Sequence, residues 1–339
     1  MGPALSLAAR VELWDVVLAA VRTELRCSGL REVTTPPMVA AVAIEPWIEP
    51  VCAGAGWLHT SPELAMKSLL VGGAGPIFQL THVARAAERG AWHREQFVLL
   101  EWYRPDRDDA VADADGVMAD VARLVAVVVQ AAAPWALRSI ESPHTWSRIA
   151  FLDAVEDTTG LQLQGDEDGD ALARRMAATP YALPPLRTAS TDARRLEAWT
   201  AFFSGWSDAA LDPWLRGRAG AGAAVHLVDF PAPLAALSKA AVDSRGRTTS
   251  GRFESHVFGR ELANGYRELR DATEQRARFV AVAELRAAHA LPVLPMPEAF
   301  LADLAAPGLP PCSGAALGLD RLVALAVGAD ALAGIALVP

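Results

Sequence analysis

Apolar residues recur at helical spacing from Ser6 to Cys27, where Leu13, Val16, Val17, Ala20 and Val21 form one stripe, so a helix is predicted there. Gly29 stops it, and Leu30 to Thr35 is β-prone before Pro36-Pro37. A second apolar-periodic helix is predicted from Leu64 to Val71, with Glu63 beside its positive end. Pro76 to Leu80 and Phe97 to Tyr103 read as strands, and Asp106 to Ala133 as a polar entry followed by an Ala/Val-rich helix. Between Ser139 and Ala224 the aromatics Trp146, Phe151, Trp199, Phe202, Phe203 and Trp206 are expected to form core among helices. Val225 to Pro231 is a short apolar run ending at a proline, which predicts a buried strand. Leu269 to Ala288 is again helical, with Glu274 and Arg278 spaced for an i,i+4 pair. A proline-rich connection from Pro292 to Pro311 leads to Cys312–Arg321, read as a strand entering an apolar helix.

The stretch Phe253 to Asp271 departs from these apolar patterns. It carries Glu254, Glu261 and Glu268 at a spacing of seven, plus Asn264, around Gly259 and Gly265. On one strand an odd spacing puts side chains on opposite faces. A hairpin with a two-residue turn at Phe258-Gly259 pairs His256 with Glu261, and Glu254 and Glu261 then share a face as diagonal neighbours. Two carboxylates so close repel unless a cation or proton lies between them. Oxygen ligands without His or Cys suit Mg²⁺. On spacing alone a solvated charged hairpin is the better account of the pattern.

A chain of 339 residues that is 52% hydrophobic can bury a sizeable core, as one large domain or two. A charged fraction of 21% and 10 Trp exclude a disordered chain. The net charge of −9 gives no global basic field for nucleic acid. Local clusters (Arg174, Arg175, Arg194, Arg195, and Arg245, Arg247, Arg252) are either a patch or solvated faces. Three cysteines without a CxxC argue for a reducing cytoplasm and against a disulfide or zinc framework. No secretion signal is read at the N-terminus, and no uninterrupted apolar run is long enough to span a bilayer.

The run RFESHVFGRELANGYRELRDATEQRARF, followed by CSGAALGLDRLVALAVGAD, resembles the catalytic core of class II lysyl-tRNA synthetases. It is more closely similar to their truncated relatives, the elongation factor P–(R)-β-lysine ligase family. The similarity runs from about Gly29 to the C-terminus and is weakest between Ser139 and Ala224. It implies an α+β fold with a mainly antiparallel sheet flanked by helices. It also implies one catalytic domain over residues 1–339, with a variable helical insert at about 139–224. Helix, glycine, strand and proline at the start are similar to the first class II motif, which implies a homodimer. That motif begins almost at the N-terminus, so no anticodon-binding domain and no tRNA substrate are expected.

The resemblance implies adenylation of a lysine-type amino acid by ATP with Mg²⁺, then transfer to a protein lysine, with elongation factor P as acceptor. In the family pattern Arg85 binds the α-phosphate, Phe97 stacks on adenine, and Arg321 reaches the terminal phosphates past small residues ending at Gly318. Glu63, in TSPE, would hold the α-ammonium, while Glu101, Tyr103, Asn264 and Glu268 complete the amino-acid pocket. Glu254 and Glu261 would hold the metal. Ala316 stands where lysyl-tRNA synthetases have glycine, which implies a preference for (R)-β-lysine over α-lysine, unless it only reflects an alanine-rich sequence. The second motif departs from its family: Arg85-Ala86-Ala87-Glu88 replaces Arg-Asn-Glu-Glu, and His93-Arg94-Glu95-Gln96-Phe97 replaces His-Asn-Pro-Glu-Phe. Glu88 substitutes for a lost contact, Arg94 adds a phosphate contact, or activation is weakened. Two other readings stay open: aminoacyl transfer to another carrier or small molecule, and an adenylation-impaired regulatory dimer.

Overall fold

The computed structural model describes residues 5–106, 114–220 and 222–338. Its frame is a ten-stranded mixed sheet, mostly antiparallel. In chain order the strands are β1 (Arg31–Glu32), β2 (Glu49–Pro50), β3 (Ile77–Ala86), β4 (Gln96–Pro105), β5 (Thr145–Ala150), β6 (Ala223–Pro231), β7 (Ala240–Val242), β8 (Thr248–Val257), β9 (Arg260–Arg267) and β10 (Cys312–Gly318). They lie in the spatial order β1-β3-β4-β10-β9-β8-β6-β5, with β2 added to β3 and β7 to β8. Among the described residues only the outer pairs β1·β3 and β5·β6 are parallel. This is the α+β architecture that the motifs implied.

The two faces of the sheet differ, as the period of two requires. On β4, Leu100 and Trp102 point to one side, while Phe97, Leu99, Glu101 and Tyr103 point to the other. The first face packs against α1 (Leu7–Cys27), a later helix Asp115–Ala132, and the helix Leu319–Ala326 that follows β10. Ser6 caps α1 through its side chain, and Gly29 turns the chain out at φ 86°. Residues such as Leu13, Val17, Leu100 and Leu317 are wholly buried there, and each full burial contributes about 1.5–3 kcal/mol before entropy is counted. Trp102 donates its ring N–H to Asp120, whose carboxylate also takes two bonds from Arg104.

The helix Asp115–Ala132 is the Ala/Val-rich helix expected from the sequence, and Asp115, Asp120 and Arg123 interrupt its apolar run. Extended to Trp135, it is long and apolar enough by length and composition to cross a membrane. Here its buried face, including Val117, Val121, Leu124 and Val128, belongs to the core. The polar entry expected before it falls mostly outside the described residues.

Residues 139–224 are not wholly helical. The stretch opens with β5, which joins the main sheet beside β6, before four helices follow. Phe151, Trp199, Phe202 and Trp206 from those helices meet Val225, Leu227 and Phe230 of β6 in a second core cluster, as the aromatic pattern predicted. A third cluster joins the helices α2 (Glu63–Val71), Ala272–Ala288 and Glu298–Ala305, and closes one side of the polar face.

Candidate active site

The polar face of the sheet is the floor of a cavity of about 540 Å³. Strand register sets its layout in two rows. Glu254 pairs with Asn264, Asn264 with Ala316, and Ala316 with Glu101. The adjacent row runs Arg252–Tyr266–Gly314–Tyr103. Paired antiparallel residues share a face, so the seven side chains of these eight residues, with the glycine between them, line one floor. Gly314 is required: a Cβ there would lie 2.3 Å from the Tyr103 ring.

The hairpin turns at Phe258-Gly259 with φ of 52° and 74°, a two-residue turn with both central residues left-handed. His256 pairs with Glu261, which places Glu254 and Glu261 on one side as the spacing required. The ladder then slips by one residue, because Ser255 pairs with Ala263 and Leu262 is left over. That bulge brings Asn264 and Tyr266, and beyond them Glu268, onto the side of Glu261. The turn and the bulge together gather all three glutamates around the cavity.

At one end of the cavity lies an acid pocket. Glu63 begins α2, and Glu101 accepts hydrogen bonds from Tyr103 at 2.5 Å and from Ser61. Burial and the charge of Glu63 lift Glu101 to about 7. Glu268 is buried, and its burial outweighs the nearby Lys67 charge to raise it to about 8. Lys67 is the buried cation of this pocket: its ammonium stands 2.6 Å from Glu63 and 2.6 Å from Glu268. Burial opposes that charge, yet the two carboxylates hold Lys67 protonated. Lys67 meets Oε2 of Glu268, whereas Oε1 of Glu268, like the amide oxygen of Asn264, has no donor among the described residues. One lysine therefore serves three acids, and two residues that line the cavity, Glu268 and Asn264, each keep an acceptor oxygen without a donor.

The opposite end carries the phosphate and metal candidates. Arg85 donates to the Thr60 carbonyl at 3.1 Å, approaches Glu88 at 3.7 Å and lies 5.1 Å over the Phe97 ring. Arg321 donates to the Glu261 carbonyl at 2.6 Å and lines the same wall as Gly318 and Arg94. Glu254 bonds Arg252 at 2.7 Å and His256 at 3.2 Å; burial would raise its pKa, but these two neighbours hold it below the ordinary value. Glu261 is raised instead, by its depth in the fold and by the charge of Glu254, although it still meets the solvent that fills the cavity. No group of three or more His, Cys, Asp or Glu forms a ready metal cluster among the described residues. Two mutually repelling carboxylates near Arg321, in one cavity with Arg85, do fit Mg²⁺, which takes one or two carboxylates and completes its shell with other oxygen ligands.

Every candidate residue thus lines this one cavity: Glu63, Arg85, Glu88, Phe97, Glu101, Tyr103, Glu254, Glu261, Asn264, Glu268, Ala316, Gly318 and Arg321. Sequence reasoning missed Lys67, Arg252 and His256 as parts of the site. The available signal for Lys67 was a charge four residues after Glu63 on the core-facing side of α2, between Met66 and Leu70.

The chain matches the family described as class II tRNA synthetases (D, K and N) over residues 5–339. It is 35% identical over 328 residues to a protein of Pectobacterium carotovorum subsp. carotovorum (strain PC1) named elongation factor P–(R)-β-lysine ligase, covering 93% of this chain and 90% of that one. With the sheet order, the paired glutamates and the two arginines in place, the chain belongs to the class II tRNA synthetase family of the D, K and N types.

Proposed function

We propose that this protein activates a lysine-type amino acid as its adenylate and transfers the aminoacyl group to a lysine of elongation factor P. The observation that carries the reading is the acid pocket, where Glu63, Glu101 and Glu268 surround one buried ammonium and Glu268 keeps unfilled acceptor sites. A substrate with two ammonium groups supplies the missing positive charge. The acceptor is taken from the name of the Pectobacterium relative, which also favours a protein lysine over tRNA.

In the first step a substrate carboxylate oxygen attacks the α-phosphorus of ATP, and pyrophosphate leaves with the bonding electrons. Arg85 neutralises charge on the α-phosphate, Phe97 offers a ring face to adenine, and Arg321 holds the terminal phosphates. Glu254 and Glu261 would hold Mg²⁺, which supplies charge neutralisation on the phosphates. Glu63 and Glu268 hold the two ammonium groups, and Tyr103 fixes Glu101. In the second step the acceptor amine attacks the acyl carbon and AMP leaves. Both steps rest on positioning and electrostatics.

Ala316 lies between Asn264 and Glu101 on the pocket floor, so its methyl group bears on where the substrate amine sits. That placement supports a preference for (R)-β-lysine over α-lysine. The exposed Leu7, Val11 and Val16 of α1 support a homodimer through that helix, and the free cysteines Cys27, Cys52 and Cys312 suit a reducing cytoplasm. Lysine-dependent ATP–pyrophosphate exchange tests the activation. Exchange that follows lysine or β-lysine supports the reading; no exchange with either would leave a regulatory dimer.

A further inference from the structure

Beyond the hairpin tip lies a second cleft, of about 580 Å³, which shares Trp92 with the reaction cavity. Three arginines from separate parts of the chain line it: Arg138, Arg216 and Arg260. The stem of each lies against a neighbour. A Cβ on Gly259 would stand 2.8 Å from Cγ of Arg216, and one on Gly328 would stand 2.5 Å from Cγ of Arg138. Two glycines therefore provide the beds on which two arginine stems lie. Arg260 lies 4.1 Å over the Trp92 ring.

The acids available to these arginines are weak partners. Asp330 is 3.7 Å from Arg138 and its side chain is 91% exposed, and Asp212 is 3.5 Å from Arg216 on the same helix turn. Arg260 has no carboxylate within ion-pair distance among the described residues. Burial, then the charges of Arg321 and Arg216, disfavour its charged form. The positive track thus continues from Arg321, at the terminal-phosphate end of the reaction cavity, through Arg260 to Arg216 and Arg138. Guanidiniums that line one cleft without strong counter-ions make a site for a multiply charged oxyanion.

We propose that this cleft is a second anion site that takes inorganic pyrophosphate, drawing the leaving group of the activation step out of the reaction cavity past Trp92. The link to pyrophosphate rests on the adenylation reading, whereas the anion site itself does not.

The test is calorimetric titration of inorganic pyrophosphate into the full chain, with and without a saturating non-hydrolysable ATP analogue. The parent protein should still bind one pyrophosphate when the analogue fills the reaction cavity. The double variant Arg138→Gln, Arg216→Gln should weaken that binding by at least about tenfold, since charge-assisted contacts are lost. The Arg138→Lys, Arg216→Lys pair should recover part of it. Absence of pyrophosphate binding to the analogue-loaded parent would overturn the proposal. So would equal affinity in parent and Gln variant, including the case where the variant raises only the KM for an acidic acceptor protein. Failure of the ATP analogue to bind would instead refute the nucleotide reading. The cleft is then still judged by the variants' effect on pyrophosphate binding to the empty chain.

Discussion

Replacing Glu268 by Gln removes one charge from the acid pocket with almost no change in volume. In the empty protein Lys67 keeps Glu63 at 2.6 Å, so the variant does not strand a buried cation. The stability cost should therefore stay below the about 3–5 kcal/mol of a broken buried pair. The substrate loses more. Glu268 offers Oε1 without a donor, and a bond from a substrate ammonium to such an acceptor is worth about 1.5–3 kcal/mol. At about 1.4 kcal/mol per factor of ten, kcat/KM for lysine or β-lysine should fall roughly ten- to a hundredfold. ATP affinity, set at the other end of the cavity by Arg85, Phe97 and Arg321, should change less than about twofold, as expected for sites without shared partners. Pyrophosphate exchange measures the first quantity and analogue titration the second. Norleucine, which lacks the side-chain ammonium, serves as control. Parental exchange by the variant, or equal activation of norleucine and lysine by the parent, would refute the assignment of Glu268.

Lys67→Met should destabilise the fold by about 3–5 kcal/mol, because Glu63 and Glu268 then face each other without a cation; a change in urea midpoint worth under about 1 kcal/mol would show that Lys67 does not hold the pocket together. Glu261→Gln should keep the fold and lose Mg²⁺-dependent activation, and a folded variant exchanging at the parental rate would remove Glu261 from the metal site. The third expectation concerns pH. Glu268 is raised from 4.5 to about 8 in the empty pocket, so its ionised form is disfavoured near neutral pH, yet an ammonium binds that form. Substrate affinity should rise from pH 6 to about 8, with a proton released on binding at pH 7, and titration in buffers of different ionisation enthalpy would expose a flat response. The same raised carboxyl stabilises the empty fold fully below about 4.5, and that contribution is lost as pH rises through about 8.

The hairpin was legible in the sequence because its turn residues and its register are local: Phe258-Gly259 sets the turn and His256 then meets Glu261. The bulge at Leu262 was not, since nothing local distinguishes an extra residue from a continuous alternation. Yet the bulge is what lets Asn264 and Glu268, three and seven residues after Glu261, share its side. The row from Glu254 to Glu101 runs across strands separated by long stretches of chain, so the motifs named its members and only strand order could show them as neighbours. Lys67 was missed because a lysine inside an apolar helix reads as a solvated edge until tertiary packing places two carboxylates at its tip. The strand Thr145–Ala150 was missed for a related reason. Its six residues alternate weakly and are stabilised by pairing with β6, which lies far along the chain.

The central claim is transfer of a lysine isomer onto elongation factor P, and intact-mass measurement of that acceptor tests it most directly. Elongation factor P is incubated with the enzyme, ATP, Mg²⁺ and either (R)-β-lysine or α-lysine. The account predicts one added lysyl mass on a single acceptor lysine, faster with (R)-β-lysine, and no addition when ATP is omitted. Active pyrophosphate exchange with no adduct from either isomer would contradict it.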